Sequence, residues 1–112
     1  MDTLTNYRGT IERIFEDNAR IPFAHGEVHL QVIIDADSGH YLLMLVGYDG
    51  IRRVHGCLVH IDIVEGKIWI QRDGTEYGIA RELIEAGVPK EDIVLAYKTP
   101  EMRQYTEFAV GT

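Results

Sequence analysis

Cysteine is nearly absent: Cys57 is the only one among 112 residues. A lone thiol pairs only between molecules, so a disulfide-stapled scaffold is excluded and a reducing compartment is the expected setting. Basic residues are also scarce. Eleven lysines and arginines face eighteen acidic residues, giving a formal net charge of −7 with neutral histidines. Free-standing nucleic-acid binders draw affinity from Lys and Arg displacing phosphate counterions, so any contact with DNA is expected to run through a partner. Long apolar runs are missing, and nothing approaches the roughly 18 residues that a membrane-spanning helix needs. The first twenty residues carry Asp2, Glu12, Glu16 and Asp17, without the basic start and apolar stretch of a secretory leader. The expectation is a cytoplasmic protein with no membrane association. There is no glycine-rich phosphate loop, zinc-type cysteine spacing or serine elbow.

What is present suits one domain over residues 1–112, because 46% of the chain is hydrophobic and 26% charged. Leu4, Tyr7, Ile11, Ile14 and Phe15 recur at helical spacing, with Glu12, Arg13, Glu16 and Asp17 on the other side. Asp2 or Thr3 can cap this helix. It must end by Ile21, because the residue before Pro22 is pushed out of the helical region. After a loop over residues 22–26 the period falls to two. Val28, Leu30, Val32 and Ile34 alternate with His29, Gln31, Ile33 and Asp35, as in a strand. A second strand, His40 to Tyr48, is apolar on both faces. Asp49-Gly50 signals a hairpin into a third strand, Ile51 to Val64, and Glu65-Gly66 turns into a fourth, Lys67 to Arg72. Thr75 is the expected cap of a second helix that holds Ile79, Ala80, Leu83 and Ile84 and stops at Gly87 and Pro89. Ile93 to Tyr97 reads as a last short strand.

The order α-β-β-β-β-α-β predicts an α+β two-layer sandwich, an antiparallel β-meander with helices on one face. Such a sheet has a second, uncovered face. Since the second strand is apolar on that side too, a second copy or a different partner is expected to cover it.

Candidate chemistry clusters on the third strand. Cys57, His60 and Asp62 supply a thiol, a base and an orienting carboxylate. In a regular strand, however, residues of odd separation point to opposite faces, so Cys57 is expected in the core with Val59, Ile61 and Ile63. His60 and Asp62 share a face and open a two-histidine, one-carboxylate metal triad. No histidine follows His60, and His25, His29, His40 and His55 all lie upstream, so closure would need an unusual chain order. Glu65-x-Lys67 with Asp49 or Asp62 resembles the acid–acid–lysine set of metal-dependent nucleases, although Glu65 falls in an expected turn. Arg52, Arg53, His55, Arg72 and Arg103 form a candidate positive patch. Trp69, out of phase with Ile68 and Ile70, either anchors an interface or packs beneath the chain's own helices.

The run DGIRRVHGCLVHIDIVEGKIWIQRDGTE, from Asp49 to Glu76, resembles the XisI family of fdxN-element excision controlling factors. EAGVPKEDIVLAY (Glu85 to Tyr97), the tail residues Pro100, Arg103, Thr106, Phe108 and Ala109, and Asn6-Tyr7-Arg8 near the start extend the likeness over the whole chain. The resemblance implies a control factor in programmed excision of a DNA element during heterocyst differentiation in cyanobacteria. It works there with a recombinase and with XisH, which resembles nuclease-like proteins. The family brings no established catalytic or binding residues to carry over. The expectation is therefore a non-catalytic accessory protein with no cofactor and no metal, acting on DNA only indirectly. It would form a homodimer and dock a XisH-like protein, and possibly a recombinase in addition, around Trp69, His60, Arg53, His55, Asp62, Arg72 and Arg103. The alternatives are direct DNA binding through the arginine patch and a small metal-dependent nuclease.

Overall fold

A computed structural model describes residues 3–21 and 27–111. The Asp2 cap, the 22–26 loop and His25 lie outside the described residues. Helix α1 (Thr3–Ala19) buries Tyr7, Ile11, Ile14 and Phe15 along one stripe, while Leu4 at its start stays 37% exposed. It ends ahead of Ile21, as the following proline requires. Near its last turn Asn18 donates from Nδ2 to the Ile14 carbonyl at 2.8 Å and to the Glu82 carboxylate at 3.3 Å, which ties this helix to the second.

Five strands follow: β1 (Glu27–Asp35), β2 (His40–Asp49), β3 (Arg52–Val64), β4 (Lys67–Asp73) and β5 (Ile93–Leu95). They lie in chain order in one sheet. The first four form the expected antiparallel meander, and β5 runs parallel to β4. The parallel step follows from helix α2 (Ile79–Glu85), which carries the chain back before β5 begins. A short helix α3 (Pro100–Arg103) and a tail that bridges Val94 through Ala109 complete the chain. The α+β class and the element order are as the periodicity predicts; β5 stops at Leu95, short of Tyr97.

The turns refine the strand limits. Glu65 and Gly66 both have positive φ, 49° and 78°, as a tight two-residue hairpin turn needs. At the preceding hairpin, Asp49 pairs with Arg52, so the turn residues are Gly50 and Ile51 rather than Asp49 and Gly50. Only Gly50 of that pair takes positive φ, at 65°. The expected cap of α2 also moves. Thr75 spends its hydroxyl on Asp73 and on the Gly78 amide, and Asp73 Oδ2 instead accepts the first helical amide, Ile79 N–H, at 2.8 Å. At the other end, Gly87 N–H bonds the Ile84 carbonyl and Val88 N–H the Leu83 carbonyl, with Gly87 at φ 102°. That pair of bonds, with Val88 buried, is a Schellman closure.

The core lies between α1, α2 and one face of the sheet. Phe15 and Ile11 from α1 and Leu83 from α2 meet Tyr41, Leu43, Ile61 and Ile70 from the strands, all with no exposed surface. Val28, Leu30, Val32 and Ile34 alternate inward along β1, half-buried, and their neighbours point to the opposite side. That opposite side carries neither long helix. None of the described helices is long and apolar enough to cross a membrane.

Candidate functional site on the open sheet face

Strand register decides what stands together on the uncovered face. Across β1, β2 and β3 it aligns Glu27–Tyr48–Arg53, His29–Val46–His55 and Gln31–Met44–Cys57. Further along lie Ile33–Leu42–His60, extended by Arg72 of β4, and Asp35–His40–Asp62, extended by Trp69. Leu42, Met44 and Val46 form a half-buried apolar spine along β2, and Ile33 beside it is 47% exposed.

Two β-bulges shape this face. The β2–β3 register shifts between Leu43 and Met44: Leu43 faces Val59 but Met44 faces Cys57, which leaves Leu58 as the extra residue. The extra residue reverses the alternation, so Cys57 and His60 share a face. This corrects the placement of Cys57 in the core beside Val59 and Ile61. The two still do not make a catalytic pair. The Cys57 thiol donates to the Val59 carbonyl at 3.3 Å, and burial pushes its pKa up, opposite to what an activated thiolate needs.

The same bulge assembles a second cluster. Counting from the Asp49–Arg52 pair, an unbroken ladder would set His40 against Ile61; with Leu58 extra, His40 faces Asp62. His40 Nδ1 lies 2.6 Å and His60 Nε2 lies 2.9 Å from the same oxygen, Asp62 Oδ1. The other oxygen accepts from Gln71 Nε2 at 3.2 Å, and Gln71 is itself the extra residue of the second bulge, between β3 and β4. Burial alone would raise the Asp62 carboxyl, but the hydrogen bonds from His40 and His60 outweigh it and hold the group below its ordinary range. The hydrogen bond to Asp62 in turn raises the His40 imidazole. The second histidine comes from upstream, against the usual chain order, and antiparallel pairing supplies it directly.

The remaining candidates are spread over the face and partly committed. Arg53 stacks over Tyr48 at 4.9 Å and donates to the Gly47 carbonyl. Arg72 Nε donates to the Cys57 carbonyl at 2.7 Å. His55 is exposed one row from the Cys57 row. Arg103 directs Nε to Lys98, Nη1 to Val110 and Nη2 to Ala96, all backbone carbonyls, and lies over the Trp69 ring at 5.3 Å. Trp69 is therefore on the face away from α1 and α2, sheltered by α3 and the tail; a Cβ on Gly111 would sit 2.9 Å from its ring. The acid–acid–lysine set is not assembled: Lys67 Nζ turns to the Glu91 carbonyl at 3.0 Å and to Asp92 at 3.6 Å, and Glu65 sits in its turn.

A single antiparallel-rich sheet, helices on one side and a mixed apolar–histidine face on the other define a small α+β protein whose distinctive surface is a sheet face. The family model described as XisI protein matches residues 1–110, and the chain belongs to that family. A XisI-like protein from Anabaena variabilis ATCC 29413 is 38% identical, with a TM-score of 0.88 over 96% of this chain and 99% of that one. The fdxN element excision controlling factor XisI from the same organism is 37% identical, with a TM-score of 0.82 over 98% of this chain and 100% of that one. Among curated proteins none matches.

Proposed function

We propose that this chain is a non-catalytic control factor for excision of a DNA element, working in the cytoplasm through protein contact. The similar Anabaena protein is named an excision controlling factor, which supports a regulatory role. The observation that carries the reading is the open sheet face, where the Leu42–Met44–Val46 spine lies opposite the helix layer. Around it, Arg53, His55, His60, Asp62 and Arg72 form a polar rim, with Trp69 and Arg103 at the margin. An apolar centre with an aromatic and arginine border is the composition of a protein-binding patch.

The occupant we assign is a XisH-like, nuclease-related protein. A chain of net charge −7 suits an accessory that stays off DNA itself, so the partner supplies the basic surface that meets the phosphates. A second copy of the chain is the competing occupant of this face.

A gel-shift series tests the division of labour. The purified chain alone should give no salt-sensitive shift of element-end DNA at low salt, and adding it to the XisH-like partner should change the partner's shift. A salt-sensitive shift by the chain alone would favour direct binding through Arg53 and Arg72 and overturn this reading.

A further inference from the structure

We propose that His40, His60 and Asp62 form a binding site for one divalent first-row transition ion, with zinc as the working probe. The inference does not depend on the docking reading above.

Two imidazoles and a carboxylate are a donor set that zinc, cobalt, nickel and iron accept. Three ligand atoms, one from each residue, lie within 4.8 Å of one another. Bonds of about 2.1 Å to a tetrahedral ion would separate neighbouring donors by about 3.4 Å. The ring-to-carboxylate contacts at 2.6 and 2.9 Å need only open slightly. The His40 side chain, 55% exposed, is free to swing the remaining distance.

Three features make this more than a chance surface cluster. Both rings already aim at one oxygen, so the ion would replace the two bridging N–H protons while the two nitrogens and the oxygen stay as its ligands. Gln71 holds the other carboxylate oxygen, the outer-shell bond that typically orients a ligating carboxylate. Both bulges act on the same cluster, since Leu58 brings His40 opposite Asp62 and Gln71 comes from the second irregularity. The site is also reachable: Asp62 is 15% and His60 34% exposed at the side chain, with Asp35 next to His40 adding negative charge. Three protein ligands leave coordination positions open toward the uncovered side of the sheet.

Zinc titration of the chelator-treated full chain by calorimetry, repeated with cobalt to read its visible absorption, tests this. The expected result is one ion per chain. His40→Ala, His60→Ala and Asp62→Asn should each weaken binding at least about tenfold. His55→Ala and Cys57→Ser should bind as the parent does. His40→Ala decides the matter even if Asp62→Asn fails to fold, because the exposed His40 ring contributes nothing to the core; circular dichroism confirms the fold. No saturable binding, binding that survives His40→Ala, or loss with Cys57→Ser or His55→Ala overturns the proposal.

Discussion

Tyr7 shows how one residue couples the layers. Its ring is buried in the α1 stripe while its hydroxyl bonds the Asp92 carboxylate on the turn before β5. Burial, and then the bond to Asp92 and its charge, push the hydroxyl pKa up to about 12. A group whose folded pKa is raised contributes stability that is complete below its unfolded value and lost above it. The window therefore runs from about pH 10, where an unfolded tyrosine ionises, to about pH 12. Urea midpoints should fall more steeply through that window in the parent than in Tyr7→Phe; parallel slopes would contradict the coupling. Gly47 is a second decisive residue. At φ 151°, a Cβ there would lie 2.0 Å from the Glu27 carbonyl oxygen and 2.8 Å from the Val28 Cα, both backbone. Gly47→Ala should cost about 1–3 kcal/mol, measurable by denaturant unfolding. The chemistry of the histidine–aspartate cluster was only half legible at this scale. His60 and Asp62 announce themselves by their two-residue spacing, but His40 enters through a pairing that depends on an extra residue elsewhere.

At the scale of elements, periodicity was a reliable guide wherever packing imposes one period along a whole segment. The α1 stripe, the β1 alternation and the Gly87 stop of α2 are each read from local residue types. Bulges are not, because Leu58 and Gln71 look like ordinary strand residues and their effect appears only in the partner's register. The reading of Cys57 as a core residue failed for that reason. Helix α3 carries a local signal as well: Thr99 accepts the Met102 amide and Pro100 occupies the first turn, a common start for a helix. Two predictions belong here. Gly9 lies inside α1 with open space where its Cβ would be, so Gly9→Ala should stabilise the chain by about 0.5–1 kcal/mol, seen as a higher melting temperature. Arg103 staples the tail over Trp69, the only tryptophan in the sequence, through its bond to the Val110 carbonyl. Arg103→Ala should loosen that cover and shift tryptophan emission to the red; unchanged emission would mean that the tail holds without it.

At the scale of the whole molecule, an acidic chain presents one sheet face on which an apolar spine and a histidine–aspartate cluster lie together. The two-sided second strand foretells the apolar part of that face, and the structure supplies its layout: an apolar centre, Arg53 at one end and the His40–Asp62 row at the other. Trp69, for which the sequence leaves open an interface anchor or packing beneath the chain's own helices, lies at the margin of the face under α3 and the tail. Control by contact through this face is the central claim, and Met44 at its middle is the residue on which to test it. The most direct measurement is the affinity of the purified chain for a XisH-like protein, compared between the parent and Met44→Asp, with Arg13→Asp on the exposed side of α1 as control. Burying an unpaired carboxylate at the centre should weaken binding by more than about tenfold, while the control binds as the parent does. Equal affinity for the parent and Met44→Asp would contradict the account.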